Sequence, residues 1–348
     1  MSVDQRELEA ACKANDVARV RLLFATRPLD DKDATRCSLT ESSDLPLMRC
    51  LLEHGADYER YLRVIPPPSL DMVKLLIEFG YDVKAEGHKM LQDFAHDREA
   101  LDWLMDHGAD PSRTDDTRDD NYPIRRLGDM RDYSLKVLNN IAAAGDIELF
   151  DHLVSRGADP HRSMALHRAG KCPDPEKSIA MIDHLLDKHH MDIEANSEDL
   201  RRTIDSIDAG TPLNCAIYYQ NLAAFKHLLK RGAHPRGLDQ IVGRWGVDPF
   251  LPALGPLLDA GANPDSALKL IIHTGDIEAA RLCVEAGADP RAIISSQEAR
   301  AARLAARPEL NSDDEEEYYD DEYPPEDIIN AGWSNGMETF LRLFDDTK

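Results

Sequence analysis

The hydrophobic positions of this chain fall into a short phrase that recurs along most of its length. In each copy two mostly apolar positions precede two mostly polar ones, and glycine, alanine and a polar residue follow. The clearest copies are LLEHGAD at 51–57, LMDHGAD at 104–110, LVSRGAD at 153–159, LLKRGAH at 228–234, LLDAGAN at 257–263 and CVEAGAD at 283–289. A looser copy, LIEFGYD, lies at 76–82, and LLDKHHMD at 185–192 carries one extra residue and lacks the glycine. This recurrence predicts a repeat architecture.

The phrase also predicts where a helix ends. An apolar pair closes an amphipathic helix, and glycine follows where the chain enters the left-handed region to leave it. A proline then keeps the helix from resuming. Such prolines stand three residues after the glycine at Pro111, Pro160, Pro235, Pro264 and Pro290.

A second signature, a tight turn at glycine or asparagine, divides each unit into two helices. It reads Asn15-Asp16-Val17 near the start, GDIE at 145–148 and 275–278, and NGME at 335–338. Together the signatures predict up to ten units, near residues 4–28, 33–58, 60–84, 87–111, 136–160, 163–193, 209–235, 238–264, 266–290 and 327–345.

One unit carries a family resemblance. The segment TPLNCA at 211–216 resembles the TPLHxA opening of the ankyrin repeat, and MALHRA at 164–169 is a partial match that keeps the histidine. The resemblance implies that Thr211 caps the first helix, that Pro212 occupies its first turn, and that Leu213 and Ala216 pack on the neighbouring repeat. Asn214 stands where the family has histidine. Gly55 and Gly80 are only 25 residues apart, against a family period of about 33, so we expect truncated hairpin loops.

We therefore expect an all-α fold, an ankyrin-type solenoid of stacked helix-turn-helix repeats with short hairpin loops. Residues 1–308 would form an array of about nine divergent repeats, with a polar insertion at 112–133. Residues 309–327 contain eleven carboxylates and no basic residue, a composition that predicts a disordered acidic insertion. Residues 328–348 would form a C-terminal capping repeat.

Charge and cysteine content narrow the possible partners and compartment. The chain has 65 acidic and 41 basic residues, a formal net charge of -24, which disfavours nucleic acid and anionic membranes and suits a protein partner with a basic surface. Its six cysteines show no CxxC spacing, so we expect reduced thiols and neither a zinc site nor a disulfide framework. The sequence has no apolar run of about 20 residues, the length of a membrane span. We therefore expect a cytoplasmic protein, with the nucleus as an alternative. We also expect a monomer.

The sequence offers no catalytic motif. It contains no GxSxG, HExxH or GxxxxGK[ST] segment, so we expect neither an enzyme nor a bound cofactor or metal. The adjacent pair His189 and His190 suggests a metal site, but neighbouring side chains on a helix point in different directions. We therefore expect this pair to lie at the end of a surface helix. Other histidines recur near the end of the second helix and should form a ladder along the stack, at His54, His107, His152, His184 and His227.

These features favour a protein interaction scaffold or adaptor. Aligned on the tight turn, Tyr218 and Trp333 share a position late in the first helix, which the ankyrin family presents to the concave face, and Tyr219 follows. We predict that these aromatics contact the partner; the alternative is that they only fill space against an adjacent repeat. Tyr318 and Tyr319 could add apolar contact to the acidic segment. Two other functions stay open: an acidic decoy or chaperone acting through 309–327, and an enzyme or substrate-binding subunit.

Overall fold

The computed structural model describes residues 3–41, 44–64, 69–114, 134–196, 210–235, 251–271 and 276–290. Within these ranges every regular element is a helix and no strand occurs, which confirms the all-α expectation. Among the described helices, none combines the length and apolar character needed to cross a membrane.

The helices come in short pairs, as the two signatures predict. The α-helices are α1 (Val3–Lys13), α2 (Val17–Thr26), α3 (Asp31–Glu41), α4 (Leu45–Glu53), α5 (Tyr58–Val64), α6 (Leu70–Glu78), α7 (Val83–Glu86), α8 (Arg98–Asp106), α9 (Lys136–Ala144), α10 (Ile147–Ser155), α11 (Ala165–Ala169), α12 (Pro175–Asp187), α13 (Pro212–Tyr218), α14 (Leu222–Lys230), α15 (Leu254–Asp259), α16 (Pro264–Ile271) and α17 (Ile277–Glu285). Within the described ranges, 3-10 turns lie at Gly87–Lys89, Leu91–Phe94, Pro160–Arg162 and Leu251–Ala253.

The recurring glycine ends the second helix of each pair. After the Leu51-Leu52 pair, for example, the Gly55 amide donates to the Leu52 carbonyl and the Ala56 amide donates to the Leu51 carbonyl, both at 3.0 Å. Seven phrase glycines share positive φ angles, from 85° to 109°: Gly55, Gly80, Gly108, Gly157, Gly232, Gly261 and Gly287. In the variant phrase His190 takes the left-handed conformation instead, with φ 50°. The predicted helix stops are therefore present.

The second helices begin at capping side chains. Asp16, Asp44, Ser69, Asp97, Asp174, Asn221 and Asp276 each accept a hydrogen bond from a backbone amide in the first turn. Thr211 caps α13 in the same way, accepting from the Asn214 amide, and Pro212 follows at the first helical position. These caps satisfy amides that the helix itself leaves without acceptors.

The chain forms two compact units. One contains residues 1–118, 135–141 and 148–159, and the other contains 119–134, 142–147 and 160–348. In the first unit α1, α3 and α5 pack in succession, and so do α2, α4 and α6. In the second unit α11 packs on α13, α12 on α14, and α15 on α17. Within each unit, therefore, the first helix of one pair packs on the first helix of the next pair, and the second helix packs on the second.

The cores consist mainly of aliphatic side chains with a few aromatics. Leu51 and Leu76 are fully buried in the first unit, and Leu228 is fully buried in the second beside Phe225. The predicted acidic insertion at 309–327, the capping repeat at 328–348 and most of the insertion at 112–133 lie outside the described residues.

Candidate partner-binding surface

Tyr218 and Tyr219 lie together at the end of α13. Tyr218 is the last residue of the helix and Tyr219 caps it. Both are half-buried, and their rings meet edge to face with centroids 5.2 Å apart. The two tyrosines thus form one continuous aromatic surface.

The segment that carries the tyrosines is unusually free of charge for this protein. No charged residue occurs between Asp208 and Lys226, although charged residues make up 30% of the chain. The helix buries residues 212–217 and leaves Gln220 and Leu222 exposed just beyond the tyrosines. Depletion of charge and enrichment in aromatics are features of the central part of protein interfaces.

A sharp turn after the tyrosines depends on Asn221. Gln220 adopts a left-handed conformation with φ 55°, and the side-chain oxygen of Asn221 then caps α14 by accepting from the Ala224 amide at 3.0 Å. The amide nitrogen of the same side chain donates to the carbonyl oxygens of Gly170 and Cys172, each at 3.1 Å. Asn221 therefore ties the turn after α13 to the turn after α11.

This tie brings two basic side chains to the tyrosines. Arg168, in α11, donates from Nη1 to the Tyr219 hydroxyl at 2.6 Å, and the Lys171 Nζ lies 6.0 Å from the centroid of the Tyr219 ring. A Cβ on Gly170 would lie only 3.2 Å from the Ala216 Cα, so glycine permits this close approach of α11 and α13. We call Arg168, Lys171, Tyr218 and Tyr219 the tyrosine surface.

The structure locates only part of the predicted site. Tyr218 and Tyr219 lie side by side, whereas Trp333, Tyr318 and Tyr319 lie outside the described residues. The sequence reasoning missed Arg168 and Lys171. A signal for Lys171 was available, because alignment on the caps Asp174 and Asn221 puts Lys171 one repeat earlier at the position of Tyr218.

The predicted histidine ladder contains two residues held in ion-pair clusters. His152 donates from Nε2 to the Asp102 carboxylate at 2.6 Å, and Arg156 donates to the same carboxylate at 3.1 Å. In the second unit His227 contacts Asp183 over 2.7 Å, and Arg231 bonds it as well. Each cluster links a second helix to the next one in the stack.

The electrostatics of the second cluster agree with that role. Burial of Asp183 opposes its ionisation, but the hydrogen bonds and charges of His227 and Arg231 outweigh burial, so the pKa of Asp183 lies below its usual value. The carboxylate is thus held ionised between two donors. We interpret both clusters as links between helices.

Comparison with known proteins adds no assignment, since neither a protein-family model nor a curated protein matches the chain.

Proposed function

We propose that this chain is an ankyrin-type interaction scaffold or adaptor that binds a protein partner through its tyrosine surface. The ankyrin interpretation is supported by the stacking of like helices, by the glycine stops, and by the Thr211-Pro212 start of α13. In such an array each repeat contacts only its neighbours, and side chains that the stack does not need are available for binding. The proposal makes the chain a non-enzymatic cytoplasmic monomer.

The observation that carries the binding proposal is the half-exposed tyrosine pair. Tyrosine and arginine are enriched among the residues that contribute most to protein binding, because they offer large contact areas and polar ends. Here the bond from Arg168 orients the ring of Tyr219 before any partner arrives. A preoriented side chain loses less conformational freedom on binding.

The charge of the tyrosine surface indicates which chemical groups of a partner would complement it. Lys171 is exposed, and its described contact is with the Tyr219 ring rather than with a carboxylate. An acidic or carbonyl oxygen of the partner would complement it. The expectation of a basic partner surface rests instead on the formal net charge of -24, to which the acidic residues 309–327, outside the described part of the chain, contribute.

Affinity capture followed by quantitative binding tests the proposal. The full chain would be used to capture a protein, and the dissociation constant of that pair would be compared for wild type, Tyr218→Ala and Tyr219→Ala. We expect each substitution to cost about 2 kcal/mol, roughly thirtyfold in affinity. Circular dichroism would verify that the variants are folded.

Tyr58→Ala is the matched control. Tyr58 is also half-buried and also meets a second tyrosine, Tyr81, edge to face at 6.3 Å, but it belongs to the other unit. Its replacement should leave binding unchanged. Wild-type affinity in both folded variants at 218 and 219 would show that the partner contacts another surface.

A further inference from the structure

Two cysteines of the first unit face each other across α1 and α3. These helices are held in register by two polar contacts, since Gln5 donates to Asp33 at 2.9 Å and Arg36 pairs with Glu9 at 3.3 Å. The residue numbers rise together on both helices from the first contact to the second, so α1 and α3 run parallel. One turn further along α1, Cys12 lies opposite Cys37, close enough that each thiol shifts the pKa of the other.

The surroundings of the two thiols allow the helix backbones to approach closely. Ala11 lies beside Cys12, Ala34 is one turn from Cys37, and all four side chains are buried. Small side chains at a helix contact shorten the distance between the axes. Closely spaced helices bring cysteine Cβ atoms towards the separation of about 4 Å that a disulfide requires.

The interaction between the two thiols shifts their pKa values in opposite directions. It raises the pKa of Cys12, with burial acting in the same direction. It lowers the pKa of Cys37, and the nearby Arg36 guanidinium also favours the Cys37 thiolate, while burial opposes it. Cys37 is therefore the better nucleophile and Cys12 the proton donor, since thiolate rather than thiol attacks electrophiles.

We propose that Cys12 and Cys37 form an oxidation site, a dithiol that hydrogen peroxide converts to a disulfide. The Cys37 sulfur attacks one peroxide oxygen, the O–O bond breaks, and the released hydroxide takes up a proton to leave as water. Cys37 is then a sulfenic acid. The Cys12 sulfur attacks the Cys37 sulfur, the S–O bond breaks, and hydroxide leaves as water with the Cys12 proton.

Access of peroxide and the effect of the bond both depend on the position of α1. Helix α1 packs on α2 and α3, and helices with few packing neighbours open locally more often than helices packed against many. Such an opening admits peroxide to Cys12 and Cys37. The new bond then fixes α1 to α3, so that oxidation fastens the first helix pair to the second.

Peptide mapping of the peroxide-treated full chain tests the proposal. After treatment with excess hydrogen peroxide and blocking of the remaining thiols in denaturant, the six thiols of the reduced chain should fall to four. Mass spectrometry should show one cross-linked peptide pair joining residues 12 and 37. Retention of all six thiols, or a cross-link joining other cysteines, would overturn the proposal.

Substitutions separate the two roles. In Cys12→Ser the Cys37 sulfenic acid should persist and react with dimedone, whereas Cys37→Ser should leave Cys12 unmodified. Cys283→Ser is the matched control: that thiol is equally buried, and burial alone raises its pKa to about 12, so this variant should still lose two thiols. Dimedone labelling at residue 12 in the Cys37→Ser variant would contradict the assigned order of attack.

Discussion

Replacing Asn221 by aspartate would separate two tasks that this side chain performs. Its oxygen caps α14, and aspartate caps as well as asparagine does. Its nitrogen donates to two carbonyl oxygens and to the Ser178 hydroxyl, and a carboxylate cannot donate. Asn221→Asp therefore removes only the contacts between turns, and it sets a negative charge against two carbonyl oxygens.

The expected loss follows from those contacts. A typical hydrogen bond contributes about 1 kcal/mol, and a partly buried acceptor left without a donor costs about 1–3 kcal/mol. With two hydrogens of the amide engaged, Asn221→Asp should lower the free energy of unfolding by about 2–4 kcal/mol. Urea denaturation followed by circular dichroism at pH 7 would measure it.

Two comparisons make the result specific. Asp97→Asn changes the equivalent cap of α8, where the described contact is to the Ala100 amide alone, and should alter stability by less than about 0.5 kcal/mol. Contact with carbonyl oxygens raises the pKa of the introduced carboxyl in the folded state, so its penalty is full only above that raised pKa, shrinks as the pH falls through it, and is absent below the unfolded pKa of about 4. Unfolding of Asn221→Asp at the wild-type urea concentration would refute the reasoning.

Three further predictions concern packing and charge. Gly170→Ala should lower the free energy of unfolding by about 1–3 kcal/mol, because the new Cβ would crowd the backbone of Ala216. Gly255→Ala, with open space at its Cβ, should not destabilise. The midpoints of urea unfolding would compare the two variants. Leu228→Ala should cost about 2–5 kcal/mol, and Leu222→Ala, at a side chain 37% exposed, far less; equal losses would contradict the assigned burial. The stabilisation from Asp183 should be full above its ordinary pKa of 3.8 and be lost as the pH falls through its lowered folded pKa. Asp183→Asn should therefore destabilise the protein at pH 7 but hardly at a pH well below the folded pKa of Asp183. An equal loss of stability at both pH values would contradict the ion pair.

Helix boundaries were predictable because capping is local chemistry. A glycine such as Gly232 ends a helix through its own φ, and a cap such as Asp16 accepts from an amide three residues later. Both signals lie within one turn of the residues that they control. The sequence therefore indicated the stops, the starts and the all-α class without any knowledge of the neighbouring helices.

Contacts between repeats were not predictable in the same way. The bond from Arg168 to Tyr219 and the bonds from Asn221 to the preceding turn join residues about fifty positions apart, and their formation depends on how two helix pairs are set against each other. The one clue was chemical. At this cap the chain has an amide, whereas most equivalent caps are carboxylates that cannot donate.

The two sides of the helix pairs carry different kinds of side chain, and this difference favours binding at the tyrosine surface. Both ion-pair clusters have the same spacing, with carboxylates four residues apart on one second helix and histidine and arginine four apart on the next, which puts each pair on one helix face. The clusters are Asp102 and Asp106 with His152 and Arg156, and Asp183 and Asp187 with His227 and Arg231. The ends of the first helices instead carry unlike residues at equivalent positions, with Lys171 just after α11 and Tyr218 at the end of α13. A stack held through its second helices can vary the ends of its first helices without losing register, and variable side chains on a fixed frame are what recognition of a particular partner requires.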